Sequence, residues 1–178
     1  KQDENSLLKP INDYEKSKFN EAQILSAYAK THNTKLCIVR LTNVYGDIKS
    51  RGIVQKIFSA ILNGQEFIIN GDGNQKRDFI FVEDIVNWLV DLILLKNEKS
   101  VNIFNLCSGE GYTINELITK TENIVGKKLA FKKGPAIKEK QTLIGDNRKI
   151  IEFTNRKLTF NIEEGLMKTY ENNLKHKI

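Results

Sequence analysis

Lys35-Leu36-Cys37-Ile38-Val39-Arg40 is a short run rich in β-formers that reads as a buried strand, and Asn102-Ile103-Phe104-Asn105-Leu106 has the same character later in the chain. Helical periodicity fills the intervals around them. Residues 12–31 open with polar starters and place Phe19, Ala22, Gln23, Leu25, Ser26 and Ala29 at helical spacing. After the first strand comes a loop with Asn43 and Gly46, then a helix from about Gly52 to Leu62 closed by Asn63-Gly64. Phe67–Ile69 and Arg77–Val82 read as strands on either side of Asn70-Gly71-Asp72-Gly73-Asn74, a cluster with the composition of a hairpin turn. Glu83–Lys96 is an apolar helix. Thr113 and Glu116 form a capping-box pattern that opens a helix running to Val125, with Gly126 as its stop. Leu129–Lys132 is a candidate strand. Helices near Asp146–Phe153 and Ile162–Asn173 finish the chain, the second with Asn161 and Glu164 as its start signal.

Helices alternating with short buried strands predict an α/β architecture with a parallel sheet. Only Leu36–Arg40 and Ile103–Leu106 have the character of central parallel strands. Two such strands would leave apolar faces and an open edge, so the pattern is that of part of a larger fold.

Composition narrows the function classes. A chain of 178 residues, 40% hydrophobic and 28% charged, is that of an ordinary globular domain. The longest apolar stretch, Ile85–Leu95, is interrupted by Asn87 and Asp91 and falls short of the roughly 20 residues of a membrane span. The net charge of +6 comes from lysine. The densest run (Lys127, Lys128, Lys132, Lys133, Lys138, Lys140) lacks interleaved arginines and aromatics, which suits a solvated surface better than a nucleic-acid face. No signal peptide is visible at the N-terminus, and Cys37 and Cys107 are isolated within apolar runs. The expectation is a reduced, cytoplasmic chain with no metal site and no membrane or nucleic-acid partner.

Tyr14-Glu15-Lys16-Ser17-Lys18 holds a Tyr-x-x-x-Lys spacing at the start of the first helix. Residues four apart share a helix face, so an ammonium can stand near a phenol. Proton transfer from an alcohol whose carbon is losing hydride wants this pair. A tyrosine titrating near 10 is almost wholly protonated at neutral pH, and a neighbouring cation eases its ionisation. The spacing recurs at Tyr45-Gly46-Asp47-Ile48-Lys49, where Gly46 interrupts any helix. By spacing alone, a surface tyrosine beside a solvated lysine is the favoured reading of the motif.

The context of the motif goes further. Pro10-Ile11-Asn12-Asp13-Tyr14-Glu15-Lys16-Ser17-Lys18 resembles the P-x-x-x-Y-x-x-S-K stretch of the extended short-chain dehydrogenases, the NAD-dependent epimerase/dehydratase family. Val39-Arg40-Leu41-Thr42-Asn43-Val44-Tyr45-Gly46 is similar to that family's R-x-x-N-V-Y-G segment. Residues 71–84, from Gly71-Asp72-Gly73 through Arg77-Asp78-Phe79 to Val82-Glu83-Asp84, resemble its G-x-G-x-x-x-R-D-F-x-x-V-x-D signature. Asn105-Leu106-Cys107-Ser108-Gly109 and Glu164-Gly165-Leu166 follow in the family's order.

The resemblance implies the C-terminal part of a doubly wound Rossmann-like parallel sheet plus a small mixed α/β substrate-binding domain. Residues 1–44 and 78–108 would belong to the first, and 45–77 and 109–178 to the second. It implies an NAD(P)-dependent nucleotide-sugar epimerase or dehydratase. Tyr14 would be the proton acceptor and donor at a sugar hydroxyl, and Lys18 would bind the nicotinamide ribose and lower the tyrosine pKa. Asn43 would lie against the nicotinamide and the substrate diphosphate, and Arg77 would pair with that diphosphate, as a guanidinium grips phosphate in bidentate fashion. The bland alternative for Arg77 is a surface pair with Asp78 or Glu83. Asp84 reads as a helix-start residue rather than a catalyst.

Three features depart from the family pattern. No G-x-x-G-x-x-G occurs to cradle the diphosphate of NAD. Ser6 stands too near Tyr14 to complete a triad. The arginine expected before the closing helices is replaced by Lys138-Glu139-Lys140-Gln141, with Arg148 a weak substitute. The resulting expectation is a C-terminal half, inactive by itself, holding no NAD and partnered by a missing N-terminal Rossmann half, the parent being a homodimer. The alternative is a non-catalytic nucleotide-sugar-binding or assembly module.

Overall fold

A computed structural model describes residues 1–95, 100–135 and 140–175. Helix α1 (Asp13–Thr31) starts where Asn12 accepts the N–H of Glu15, while the Glu15 carboxylate accepts the N–H of Ile11. The caps satisfy donors that have no partner inside the helix. Its inner face is Glu15, Phe19, Ala22, Ser26 and Ala29. Leu25 and Gln23, expected on that face, point outward, as do Ile24 and Tyr28. Strand β1 (Leu36–Leu41) follows, then β2 (Asn43–Tyr45), α2 (Ile53–Asn63) and β3 (Phe67–Asn70). Gly64, at φ 65°, closes α2 in the left-handed conformation that glycine adopts without steric cost.

Next come β4 (Lys76–Arg77), β5 (Phe79–Phe81), α3 (Val82–Leu94) and β6 (Val101–Leu106). The predicted end of that helix at Lys96 lies outside the described residues. Then follow β7 (Tyr112–Thr113), α4 (Ile114–Val125), β8 (Phe131–Gly134), β9 (Thr142–Leu143), α5 (Arg148–Thr154) and α6 (Ile162–Lys175). Thr113 and Glu116 cap α4 reciprocally, as their spacing predicts.

The fold is α/β, with Rossmann-like parallel strands and a smaller mixed sheet. Strand β1 pairs in parallel with β6 from Leu36↔Val101 to Leu41↔Leu106. Beyond these two expected strands, β2 pairs in parallel with β5, β3 with β8, and β4 with β9, while β4 also takes β7 antiparallel. The loop expected at Asn43 is therefore strand β2, formed because Asn43–Tyr45 finds a partner in Phe79–Phe81. The single strand expected over Arg77–Val82 is two short strands in different sheets, parted at Asp78. Residues 70–74 are likewise no hairpin, since β3 and β4 belong to different sheets. They form a turn whose Gly73, at φ 79°, lies so close to Asn115 that a Cβ would come within 2.4 Å of its Oδ1.

Two apolar clusters hold these elements. One gathers Ile57, Phe58, Ile69, Phe79, Phe81, Leu117 and Leu166 from α2, β3, β5, α4 and α6. The other gathers Ile80, Trp88, Phe104, Leu106 and Ile150 from β5, α3, β6 and α5. Strand β5 serves both, because successive strand residues face opposite ways. Burial of such side chains contributes about 1.5–3 kcal/mol each against the entropy of ordering the chain.

Candidate active site

Strands β1 and β6 end side by side at Leu41 and Leu106. Open α/β sheets bind ligands outside the carboxyl ends of their strands. At this edge lie Asn43, just past β1, and Ser108 and Gly109, just past β6. Between them the Asp78 carboxylate is wholly enclosed. One of its oxygens accepts the Ser108 N–H at 2.8 Å, the Ser108 hydroxyl at 2.8 Å and the Thr42 hydroxyl at 3.1 Å. The other accepts the N–H of Gly109 at 3.0 Å and that of Gly145 at 3.2 Å. Charge-assisted bonds of this kind are the strong ones.

Asn43 is exposed yet anchored. Its side-chain amide donates to the Asp78 carbonyl at 2.8 Å, and its main-chain N–H donates to the same oxygen at 3.1 Å. The structure thus brings Asn43 together with the Arg77-Asp78 pair. Beside Asn43, a cavity of about 80 Å³ is lined by Gly46, Asp47, Ser50, Gly52 and the first residues of α2. Among the described residues no side chain caps that helix start, where N–H groups and the helix dipole favour an anion. A larger hollow of about 350 Å³, also bordered by Tyr45 and Phe79, is lined by Phe81, Ser108, Glu110, Tyr112 and residues 158–162.

Arg77 is half-buried on β4 and donates to the Lys76 carbonyl at 2.8 Å. The carboxylates suggested as its surface partners are engaged: Asp78 as described, and Glu83 with Lys168 at 2.9 Å. Arg148 is tied to Asp146, its Nε and Nη2 both meeting the carboxylate, at 3.0 and 2.6 Å. The expected departure at Lys138-Glu139 lies outside the described residues. Asp84, in the first turn of α3, accepts the N–H groups of Thr159 at 2.8 Å and Phe160 at 3.3 Å, so it moors the approach to α6 as well as starting a helix.

Tyr14 and Lys18 stand one turn apart at the exposed start of α1, the tyrosine 72% exposed. Helix α1 leads through residues 32–35 into β1 and packs back along β1 and β6, which sets its N-terminal turn at the end where those strands finish. Lys18 donates to Glu21 at 2.7 Å. That hydrogen bond and the Glu21 charge raise the lysine pKa, with a smaller contribution from Tyr14, so the ammonium stays charged. An exposed ion pair of this kind is worth little and yields readily. The structure stands Tyr14 beside Lys18 and ties Asn43 to the main chain of Asp78, the residue after Arg77. Asp78, which the sequence offered only as a surface partner for Arg77, is the junction between segments.

The fold is that of the Rossmann-like α/β class. The chain belongs to the NAD dependent epimerase/dehydratase family, whose model matches residues 1–107. It is 31% identical over 142 residues to a putative UDP-glucose 4-epimerase of Methanocaldococcus jannaschii, a match covering 78% of this chain and 44% of that protein. The solved structure of UDP-glucose 4-epimerase with UDP-glucose from Thermotoga maritima superposes with a TM-score of 0.87 at 28% identity, over 98% of this chain and 57% of that one. MoeE5 in complex with UDP-glucuronic acid and NAD shares the fold with a TM-score of 0.90 at 23% identity, over 98% of this chain and 59% of its own. The chain thus spans about half the length of the proteins it matches.

These findings correct the expectation of a C-terminal half that is inactive, holds no NAD and is partnered by a missing N-terminal Rossmann half. The family model matches residues 1–107, which include β1, β2, β5 and β6. Rossmann-like pairs β1–β6 and β2–β5, with α1, α3 and α5 packed on them, form within this chain. The folds of UDP-glucose 4-epimerase from Thermotoga maritima and of MoeE5 superpose on 98% of it. The physical reason is where a dinucleotide lies. It lies across the carboxyl edge of an open α/β sheet, and β1 and β6 of this chain end at such an edge.

Proposed function

We propose that this chain acts in the NAD(P)-dependent conversion of a nucleotide-diphosphate sugar, with epimerisation as the default reaction. The observation that carries the proposal is Asn43, just past the carboxyl end of β1, beside the uncapped start of α2 and bonded to Asp78, the residue after Arg77, at the edge toward which the Tyr14–Lys18 turn of α1 is directed. The residues present suit the nicotinamide end of the cofactor: an exposed phenol, a charged ammonium one turn on, and an exposed amide past the end of β1. NAD, when bound, supplies the acceptor and donor of hydride. Tyr14 takes the proton of the sugar hydroxyl and returns it, and the Lys18 ammonium favours the phenolate that does so. Asn43 orients ring and diphosphate. Arg77 and the N–H groups of α2 grip the phosphates.

Residues 1–44 and 78–108 are proposed as the cofactor-binding unit, with 45–77 and 109–178 as the substrate-binding unit. The two apolar clusters follow this division in part: α5 packs with the first unit, and Phe79 and Phe81 of β5 pack with the second. Among the described residues no helix is long and apolar enough to cross a membrane. The two free thiols fit a reducing, cytoplasmic setting.

The test is turnover of UDP-glucose or dTDP-glucose by the full chain with NAD. Tyr14→Phe should abolish turnover while NAD binding, followed by fluorescence, stays close to wild type. Wild-type turnover in the variant would remove Tyr14 from the chemistry.

A further inference from the structure

The Asp78 carboxylate does more than fill a buried position. Its five donors come from three separated stretches: Thr42 after β1, Ser108 and Gly109 after β6, and Gly145 after β9. Two of those donors are glycines held where a side chain would not fit easily. Gly109 has φ 78°, and a Cβ on Gly145 would stand 2.5 Å from Cys107 Sγ. The backbone is thus shaped to converge on this one carboxylate. From the same residue, the carbonyl holds both the main-chain and side-chain N–H groups of Asn43, and the N–H donates to Leu143 at 3.1 Å. Arg77 precedes it on the chain.

We propose that Asp78 is a positioning residue that registers Asn43 and Arg77 against the loop after β6, so that the two ligand-facing side chains present one fixed geometry to a nucleoside diphosphate. The proposal rests on the nucleotide-sugar function above. Asp78 touches neither substrate nor cofactor and acts through Asn43 and Arg77. Asp78→Asn keeps the volume but sets an NH2 group among N–H donors, leaving up to two of them unpaired.

The experiment compares Asp78→Asn with Asp84→Asn in the full chain. Asp84 is equally enclosed and also accepts two backbone N–H groups, Thr159 and Phe160, on α3 rather than at this edge. UDP and dTDP are titrated calorimetrically well below both melting midpoints. Asp78→Asn should weaken binding about tenfold, and raise KM for UDP-glucose by a similar factor with kcat little changed, whereas Asp84→Asn loses stability but keeps affinity. In ligand-free NMR spectra the Asn43 side-chain amide should exchange faster in Asp78→Asn alone. Should Asp78→Asn fail to fold, Ser108→Ala, which removes one of the five donors, should weaken UDP binding about threefold.

Wild-type affinity in the folded Asp78→Asn variant, an equal loss in Asp84→Asn, or an unchanged Ser108→Ala where that variant stands in would each overturn the positioning role. A wild-type chain that binds neither UDP nor dTDP would instead overturn the nucleotide-sugar function, and the positioning role with it.

Discussion

Replacing Gly145 by alanine puts the convergence on Asp78 under direct strain. The new Cβ would stand 2.5 Å from Cys107 Sγ and 3.0 Å from Cys107 Cβ. Non-bonded heavy atoms settle at about 3.5–4.0 Å, so backbone or thiol must move by roughly 1 Å. Cys107 is fully buried in the strand-end core and has little room to give. The Gly145 N–H reaches Asp78 at 3.2 Å, already the far end of the hydrogen-bond range, so a shift of that size breaks it. Overpacking costs about 1–3 kcal/mol and a lost bond to a charged acceptor about 1.5–3 kcal/mol. The two overlap, because a shift that relieves one causes the other, and about 3 kcal/mol is the expected total. For a chain of this size that lowers the melting midpoint by roughly 6–12 °C, read by differential scanning calorimetry. Cys107→Ala removes the nearer atom, so the double variant should be more stable than the sum of the single losses predicts, by about 1 kcal/mol or more. A Gly145→Ala protein melting within a degree of wild type would refute the close-approach reasoning, and strict additivity would show that Cys107 is not the obstacle.

Arg77→Ala should weaken UDP or dTDP binding by about 1.5–3 kcal/mol, the scale of a charged hydrogen bond, and unchanged affinity by calorimetry would assign Arg77 to structure. The Arg148 side chain, then the Arg148 backbone N–H, hold the Asp146 carboxyl down at about 2, against an ordinary 3.8. Since the folded pKa lies below the unfolded one, the folded state binds fewer protons between them. The stabilisation is therefore full above pH 3.8 and is lost as pH falls through about 2. Asp146→Asn should flatten the acid limb of the stability curve in that window; an acid limb identical to wild type would contradict this. Burial pushes the Cys107 thiol up to about 12, and burial also raises Cys37 against the opposing Lys149 charge. At pH 8 a disulfide reagent should therefore leave Cys107 untouched in the folded chain and modify both thiols after denaturation. Rapid labelling of native Cys107 would show that this core opens.

Features written within a span of about ten residues were legible before any coordinates. The Asn12 and Thr113–Glu116 caps, the glycine stops at Gly64 and Gly126, and the strands at β1 and β6 all stand where local pattern put them. Each depends on backbone groups meeting side chains a turn away, or on apolar runs long enough to declare themselves. The family motifs around Tyr14, Asn43 and Arg77 were likewise visible. What joins them was not.

Tertiary structure decided that Asn43–Tyr45 is a strand, because only Phe79–Phe81 completes its hydrogen bonds. It also split Arg77–Val82 into two sheets, turning Asp78 inward to donors 30, 36 and 67 residues away in sequence. Which side of α1 faces the sheet depended on where β1 and β6 lie, and so Leu25 points outward despite its apolar character. Local sequence determines which turns, caps and runs can form. Bonds between distant residues, made only once the chain has closed on itself, decide where a carboxylate such as Asp78 ends up and which side chains it holds in place.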